Sequence, residues 1–461
     1  SFLQQSTTIP LFRSFTGESK SKIAPTRESS AFQERKVVTM NYKALVESQR
    51  AFFNSNVTKD LPFRIQQLKK LQSVIEENEK LLYKSIYEDC KKSEFETFTT
   101  ELSLVRNEIK TAIKKLPTWT KKQKVKTNLP NLPGTSYKIP EPLGVCLVIG
   151  AANYPYQLSL IPIAAAVAAG NTVILKPSEI AAKSSHAMAE MINSAFDEEY
   201  LKVVEGGVDE TTALLEEKFD HVFFTGSTRV GKIIYQAAAK HLTPVTLELG
   251  GKSPVIVTKD ADIHNSAKRI VWGKFLNAGQ SCIAPDYILV DASVKEQLLS
   301  SIKYFVEKFD YSFENHNYIQ ILNEQSFQRL AGLIHDHQKK IFLGGIHDVQ
   351  ERFIEPTILK DVTFDDKIMA DEIFGPILPV IAYTDFEEEV IAPIKERPKP
   401  LSCYIFSNNS QLKHKIFHEL SFGGGQANDN MIHPTNSNLP FGGVGESGIG
   451  GYHGKAGFET F

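Results

Sequence analysis

Residues 145–179 read VCLVIGAANYPYQLSLIPIAAAVAAGNTVILKPSE, and this stretch determines the fold that we predict. Two short apolar runs, 145–150 and 172–175, have the length of buried strands. Between them lies a helical pattern, 157–169, which Gly170 and Asn171 end in the manner of a helix C-terminus. A strand, a helix and a second strand in this succession predict a βαβ unit with two parallel strands.

The same alternation continues along the chain. Further strands are expected at 201–204 and 221–224, and helices at 184–196, 209–217 and 230–241. Repeats of this length predict an α/β protein with a parallel doubly wound sheet. Because ligands bind beyond the carboxyl ends of the strands in such a sheet, the residues after each strand are candidates for a site.

A second α/β unit follows, with strands expected at 255–257, 287–290 and 401–406 and helices at 261–275, 294–309 and 324–337. Ahead of the first sheet, apolar residues recur at helical spacing from Ile65 to Ile86, which indicates a packed helical face. A proline-rich connector occupies 130–142. The glycine-rich stretch 441–451 is expected to be loop.

The 461 residues are 42% hydrophobic and 23% charged, with a formal net charge of -2. This composition is typical of a globular protein and gives no indication of nucleic-acid binding. The four cysteines form no CxxC or disulfide pattern, which favours a reducing compartment. The sequence contains no apolar run of the ~20 residues needed to span a bilayer. From the twelve histidines we expect no metal centre.

Cys282 ends the loop NAGQSC, residues 277–282, between a helical pattern and the strand-like run 287–290. A thiol on a loop can be reached by a substrate, whereas Cys146 and Cys403 lie inside apolar runs. Taken alone, a cysteine is more often a small buried hydrophobic side chain, so both interpretations stay open at this point.

Polar residues also follow the other predicted strands. Asn153 offers an amide donor, suited to a developing negative charge, and Glu248 is a candidate general base beside Gly250 and Gly251. A dinucleotide could be held by the residues after two more strands, which are Lys176, Glu179, Thr225, Gly226, Ser227, Val230 and Gly231. Each of these residues also has an ordinary interpretation as a turn residue, a surface charge or a carboxylate bonded to a glycine turn.

Seven segments, taken in order, resemble the aldehyde dehydrogenase superfamily. They are 150–155, 169–179, 224–227, 247–252, 279–282, 372–376 and 440–445. Three stretches, 238–248, 284–289 and 451–455, are similar to the class 3 and fatty-aldehyde branch in particular. The resemblance covers residues 40–461, so residues 1–39 are expected to be a leader or upstream extension.

The resemblance implies the aldehyde dehydrogenase fold. Its NAD-binding domain would span 40–246, with a bridging segment around 127–143. The catalytic domain would span 247–425, and a glycine-rich loop and bridging segment 426–461. The branch also implies a homodimer and a cytoplasmic location, with mitochondrial or endoplasmic-reticulum association as alternatives. Its members continue with a tail beyond Phe461, and a membrane contact is expected only if that tail carries an anchor.

The function that the resemblance implies is NAD(P)-dependent oxidation of medium-chain, long-chain or aromatic aldehydes to carboxylic acids. Cys282 would form a thiohemiacetal and then a thioester, Asn153 would hold the oxyanion, and Glu248 would activate water. Two other functions stay open: a dehydrogenase that passes the acyl group to coenzyme A, and a non-catalytic scaffold on the same fold.

The resemblance assigns further residues to the cofactor and the substrate. Glu372 and Phe374 would contact the nicotinamide ribose and ring, and Glu372 is also a second candidate base. Tyr154 and His453 would border the substrate tunnel. NAD is the expected cofactor, because Glu179 would repel a 2′-phosphate, and NADP is the alternative because Arg229 could face the phosphates.

Overall fold

The computed structural model describes residues 41–461, so the predicted leader lies outside the described part of the chain. The helices of this part are α1 (Tyr42–Asn54), α2 (Leu61–Glu77), α3 (Glu79–Cys90), α4 (Glu94–Thr97), α5 (Ser103–Trp119), α6 (Gln157–Ala169), α7 (Ala182–Ala195), α8 (Val208–Leu215), α9 (Thr228–Ala239), α10 (Ile263–Phe275), α11 (Lys295–Phe309), α12 (Glu324–Asp336), α13 (Ala392–Glu396), α14 (Ser410–Glu419) and α15 (Gly454–Thr460).

The strands of this part are β1 (Gln123–Val125), β2 (Ser136–Lys138), β3 (Val145–Ile149), β4 (Thr172–Lys176), β5 (Leu201–Val203), β6 (His221–Thr225), β7 (Val245–Glu248), β8 (Pro254–Val257), β9 (Tyr287–Asp291), β10 (Ile341–Leu343), β11 (His347–Asp348), β12 (Phe353–Ile354), β13 (Thr357–Leu359), β14 (Ile377–Tyr383), β15 (Ser402–Phe406), β16 (Gly424–Ala427) and β17 (Gly448–Ile449).

The first large sheet has the strand order β17-β7-β6-β3-β4-β5. Neighbours from β7 to β5 are parallel, and β17 joins β7 in the antiparallel sense. The chain moves outward from β3 through β4 and β5 and then returns to β6 on the other side of β3. The predicted doubly wound sheet is therefore confirmed, and its winding reverses at β3. Such a reversal opens a crevice at the carboxyl ends of the strands.

Helix α6 is the central helix of this unit and is buried from Leu158 to Ala169. Its alanines let it pack closely between the sheet and the neighbouring helices α2 and α5. The helix ends at Gly170, which has φ +103°. A Cβ there would lie 2.7 Å from the guanidinium carbon of Arg64, so this left-handed position accepts only glycine.

The second large sheet has the order β10-β13-β14-β9-β8-β15-β16 and is parallel except for the edge pair of β10 and β13. The predicted strands β8, β9 and β15 are confirmed, whereas β10, β13, β14 and β16 were not predicted. Strands β10 and β13 are three residues long, too short to show a period. Strand β14 contains Pro379, which usually argues against an internal strand.

Two other regions differ in detail from the expectation. The apolar face from Ile65 to Ile86 is divided between α2 and α3, which separate at Asn78. The glycine-rich stretch 441–451 is not entirely loop, because Gly448–Ile449 forms β17 and Gly448 lies opposite Glu248. The proline-rich connector includes strand β2 of the hairpin β1–β2, in which Gln123 faces Lys138.

Among residues 41–461, no helix combines the length and apolar character that crossing a bilayer would require.

Candidate active site

The loop before Cys282 is held in an unusual backbone conformation. After α10 ends, Asn277 and Ala278 have φ +56° and +51°, in the left-handed region that non-glycine residues rarely adopt. Gln280 is 1% exposed, and its side chain donates to the Asn277 carbonyl (3.2 Å) and the Gln320 carbonyl (3.1 Å). Because these bonds are buried, the loop presents Cys282 from a fixed position.

Cys282 is half-buried, whereas the other three cysteines are buried, and all four are free thiols. Burial raises the pKa of the Cys282 thiol, and the nearby carboxylates of Glu372 and Glu248 raise it further. The main-chain N–H groups of Cys282 and Ile283 act in the opposite direction. The balance keeps the sulfur protonated at neutral pH, so forming a thiolate requires transfer of its proton to another group.

Glu248 ends β7 and is 2% exposed. Neither of its carboxylate oxygens has a hydrogen-bond partner among residues 41–461. Burial raises the pKa of Glu248 well above its usual value, because the charged form is poorly solvated there. The alternative interpretation, a carboxylate bonded to the N–H groups of the glycine turn, is therefore wrong for Glu248. A general base is most effective when its pKa lies near the working pH. A raised pKa brings Glu248 closer to that condition than an ordinary carboxylate would be.

The carboxylate of Glu372 instead lies against the glycine turn at Gly250 and Gly251. A Cβ on Gly250 would collide with an oxygen of the Glu372 carboxylate, so only glycine permits this approach. Burial and the charge of Asp286 raise the pKa of Glu372 to about 8, against the opposing effect of the Gly251 N–H group. Phe374, two residues on, is half-buried with φ +48°. Both candidate bases thus lie near the same thiol and raise its pKa.

Asn153 and Tyr154 lie beyond the end of β3 and are 5% and 8% exposed. The Asn153 side-chain amide donates to the Gln280 carbonyl at 3.1 Å, which ties the strand tip to the Cys282 loop. An amide nitrogen carries two hydrogens, so the second remains for an oxyanion. Burial raises the pKa of Tyr154 well above its usual value, so its phenol is neutral.

The predicted cofactor residues lie at the ends of β4 and β6. Lys176 is 1% exposed, and its ammonium donates to the Pro177 carbonyl (2.7 Å) and to Glu179 (3.2 Å), which is itself exposed. Ser227 is exposed and caps α9, where its hydroxyl accepts a hydrogen bond from the Val230 N–H group at 3.4 Å.

The same strand ends have the features of a dinucleotide site. The Thr225 hydroxyl is buried without a hydrogen-bond partner in the described part of the chain. A Cβ on Gly226 would collide with the Phe224 ring, and one on Gly231 would lie 2.6 Å from Leu249. A bare backbone, a helix N-terminus and an unsatisfied hydroxyl together fit a phosphate-bearing ligand.

His453 packs against Phe441 and Tyr452, with ring centroids 5.5 and 4.3 Å away. Burial lowers its pKa to about 4, so the imidazole is neutral at physiological pH. Its neighbour Tyr452 is 0% exposed, and the charges of Glu248 and Cys282 influence the pKa of its phenol. Tyr452 is therefore a site residue that the sequence analysis missed, although it adjoins the predicted His453.

One histidine pair does have the i, i+4 spacing of metal ligands. His414 and His418 stack on α14 with ring centroids 5.6 Å apart. Within residues 41–461, however, no group of three or more His, Cys, Asp and Glu side chains could hold a metal ion.

Comparison with known proteins identifies the family. The sequence profile described as "Aldehyde dehydrogenase family" matches residues 12–461. The 4,4'-diaponeurosporen-aldehyde dehydrogenase of Staphylococcus aureus is 48% identical over 414 residues, which cover 89% of this chain and 90% of that protein. A Rattus norvegicus protein named "Aldehyde dehydrogenase, dimeric NADP-preferring" is 48% identical over 418 residues, which cover 90% of this chain and 92% of that protein.

A solved structure, described as the substrate-bound state of Staphylococcus aureus AldH, is similar throughout. It superposes with a TM-score of 0.90 at 46% identity, over 92% of this chain and 93% of its own. The chain therefore belongs to the aldehyde dehydrogenase family and is an enzyme that oxidises aldehydes to carboxylic acids.

Proposed function

We propose that this enzyme oxidises medium-chain and long-chain aliphatic or aromatic aldehydes, with NADP or NAD, through a thiohemiacetal and a thioester on Cys282. One observation carries the proposal. A single half-buried thiol lies at the end of a rigid loop, close to two carboxylates of raised pKa and tied to the Asn153 amide.

The first step needs a proton acceptor and an oxyanion site. The Cys282 sulfur transfers its proton to the carboxylate of Glu248 or Glu372 and bonds to the carbonyl carbon, and the π electrons of the C=O bond move to oxygen. The second Asn153 N–H and the Cys282 main-chain N–H are suited to hold that oxyanion. Each such donor contributes roughly 2.7–4 kcal/mol in comparable acyl-transfer sites.

Oxidation requires a hydride acceptor, which is the chemistry that a dinucleotide supplies when bound. Ser227 and the N-terminus of α9 are suited to its pyrophosphate, Lys176 and Glu179 to one ribose, and Glu372 to the other. Phe374 would orient the ring beside Cys282. The unsatisfied Thr225 hydroxyl supports this use of the strand ends.

Release of the product needs a water molecule and a base. Glu248 has two buried oxygens without partners in the described chain, so it can accept a proton from water without first breaking another bond. The hydroxide adds to the thioester carbon, the C–S bond breaks, and the proton that Glu248 took from water returns to the sulfur, which restores the thiol. Glu372 is the alternative base, with a pKa of about 8.

The choice of substrate and cofactor has separate support. Tyr154 and Tyr452 are buried aromatic neighbours of Cys282, which favours an apolar aldehyde. The Rattus norvegicus relative is named as NADP-preferring. In this chain Glu179 is paired with Lys176, and Arg229 is exposed in the first turn of α9. The negative charge of Glu179 is therefore offset by nearby positive charges, which favours acceptance of the 2′-phosphate of NADP.

Initial rates with an aldehyde series test the proposal. Linear aldehydes from propanal to dodecanal, and benzaldehyde, are measured with NAD and with NADP. We expect kcat/KM to rise roughly three- to fourfold per methylene until the tunnel is filled, because each buried CH₂ contributes about 0.8 kcal/mol. A flat or falling series would contradict the substrate class. Product analysis with and without coenzyme A tests the acyl-transfer alternative.

We also propose that the enzyme is a homodimer in a reducing compartment, most simply the cytoplasm. The Rattus norvegicus relative is named as dimeric, and the four cysteines of this chain are free thiols. Size-exclusion chromatography with light scattering and microscopy of a tagged full chain test these two statements.

A further inference from the structure

A buried ion pair lies directly behind the proposed oxyanion site. Lys92 and Glu101 have side chains that are both 0% exposed, and they meet at 2.7 Å. Lys92 follows α3, and Glu101 belongs to a short π-helical segment, Phe98–Leu102, which leads into α5. A π-helical turn often marks a functional site, and here it carries Glu101 to the start of α6.

The Lys92 ammonium makes two hydrogen bonds and one contact with an aromatic ring. One is donated to Glu101, and a second to the main-chain carbonyl of Asn153 at 3.1 Å. The ammonium also lies 4.4 Å from the centre of the Tyr154 ring, in a cation–π contact. With three partners, the lysine has no freedom to rotate away, and the peptide after Asn153 is fixed in one orientation.

Glu101 holds the other end of the same loop. Its second oxygen accepts hydrogen bonds from the main-chain N–H groups of Tyr156 (2.8 Å) and Gln157 (3.3 Å), at the N-terminus of α6. A carboxylate is favourable at this end of a helix. One ion pair therefore anchors the loop between β3 and α6 at the Asn153 carbonyl and at the first turn of α6.

The Cys282 loop is attached to the same point. The Asn277 side chain donates to the Asn153 carbonyl (3.1 Å) and to the Gln280 carbonyl (3.0 Å), and the Asn277 N–H donates to Glu96 (3.1 Å). The Asn153 carbonyl is thus a shared acceptor for Lys92 and the nucleophile loop. The orientation of this main-chain carbonyl determines where the side-chain amide of Asn153 lies relative to Cys282.

Stability alone does not account for two charges in this place. Removing a lysine and a carboxylate from water costs several kcal/mol each, and apolar replacements of such pairs are often neutral or stabilising. Burial is the largest single effect on Lys92 and lowers its pKa, but the charges of Glu101, Cys90 and Glu96 and the hydrogen bond to Glu101 together raise the pKa above its usual value. Lys92 therefore keeps its charge, and its charge-assisted hydrogen bonds to Glu101 and to the main-chain carbonyl of Asn153 give the loop a precision that an apolar pair would lack.

We propose that Lys92, held by Glu101, is a positioning residue for aldehyde oxidation, which fixes the Asn153 amide in line with the oxyanion. The inference rests on the proposed role of Asn153. A displacement of about 1 Å in such a group can cost on the order of 100-fold in rate. We expect loss of the pair to lower the rate of the first half-reaction by roughly 10- to 100-fold, with dinucleotide affinity unchanged.

A double-mutant cycle tests the proposal. Two variants are compared, Lys92→Met and the neutral pair Lys92→Met/Glu101→Gln, each with and without Asn153→Ala. The neutral pair removes both charges of the ion pair, and the introduced amide oxygen can still accept from the α6 N–H groups, so this variant keeps the test open if Lys92→Met fails to fold. The single-turnover rate of NAD(P)H formation is measured with a saturating aldehyde. Gln49→Met is the matched control, since Gln49 is also 0% exposed and donates to two carbonyls, Val173 and Glu198, on the far side of the sheet.

Three outcomes are distinguishable. The proposal is supported if loss of the ion pair lowers the rate when Asn153 is intact but not when Asn153 is replaced by alanine, and if Gln49→Met leaves the rate unchanged. An equal loss in both backgrounds, or no loss, overturns it while leaving the role of Asn153 intact. A full rate for Asn153→Ala itself overturns the oxyanion assignment, and with it the positioning role of Lys92.

Discussion

At the scale of single residues, Cys282 is a thiol whose surroundings oppose its ionisation. Burial and the two carboxylates raise its pKa, and two main-chain N–H groups counteract them only in part. A nucleophile in this setting is protected from adventitious oxidation, because the reactive thiolate exists only after its proton has moved. The same carboxylates that hold the thiol neutral are the groups placed to accept that proton.

Replacement of the thiol tests its role directly. We expect Cys282→Ala to reduce aldehyde oxidation to background, while NADPH binding, measured by fluorescence titration, stays within twofold of the parent. Cys403→Ala is the matched control, because Cys403 is buried in β15 and its loss should affect stability and not turnover. Appreciable oxidation by Cys282→Ala would exclude Cys282 as the nucleophile.

Glu248 offers a second test at this scale, with a pH dependence. Burial raises its pKa well above the usual value, so the fraction of Glu248 in the basic, ionised form grows as the pH rises through that raised pKa. We therefore expect the deacylation rate to increase with pH, and Glu248→Gln to abolish this increase. Stopped-flow traces should retain the initial burst of NAD(P)H and lose the steady-state phase. An unchanged steady state would leave Glu372 as the base.

At the scale of elements, α10 delivers the loop that bears Cys282, and its last turn contains an unusual lysine. Lys274 is 0% exposed, and its ammonium has no hydrogen-bond partner among residues 41–461. Burial lowers its pKa to about 8, although the charges of Asp286 and Glu372 act to raise it. A shift of this size corresponds to roughly 3 kcal/mol against the charged folded state.

From the lowered pKa of Lys274 we predict that the free energy of unfolding increases with pH. Between pH 8 and about 10.5, the unfolded chain holds the lysine proton and the folded chain does not, so the free energy of unfolding rises with pH across that window. We expect Lys274→Met to raise the melting temperature at pH 7, with a gain that shrinks towards pH 10.5. Differential scanning fluorimetry from pH 7 to 10.5 measures it. A constant gain, or a loss at pH 7, would show that the lysine has a partner in solution.

At the scale of the whole molecule, the hairpin β1–β2 carries apolar side chains that the rest of the described chain leaves uncovered. Leu129, Leu132 and Ile139 are 84%, 56% and 57% exposed, and Tyr137 is 45% exposed. Clustered exposed apolar residues often mark a protein–protein interface. The loop and the second strand of this hairpin lie in the bridging segment around 127–143 that the family resemblance implies.

A charge in this hairpin should disrupt the proposed homodimer. We expect Leu129→Glu, or Leu129→Glu with Ile139→Glu, to shift the sedimentation coefficient from dimer to monomer. Leu242→Glu serves as the control, since Leu242 is 92% exposed and lies between α9 and β7. If the hairpin variants keep the dimer mass, the interface lies elsewhere on the molecule.

The amino-acid sequence by itself determined the α/β class, the doubly wound sheet and the family. Strand and helix periods are local properties, and the family motifs stand in an order that requires no knowledge of contacts. Segments that are too short for a period, such as β10 and β13, were missed for the same reason. Pro379 concealed β14, because proline is usually excluded from internal strands.

Only the tertiary structure decided which of these residues meet, because hydrogen bonds between distant parts of a chain leave no local pattern. Lys92 and Glu101 look like surface charges in the sequence, yet they are fully buried and bond to the loop at Asn153. Glu248 could have bonded to the glycine turn, but Glu372 occupies that place and leaves Glu248 without a partner in the described chain. Burial and distance, which are set by packing, thus give the two carboxylates different surroundings.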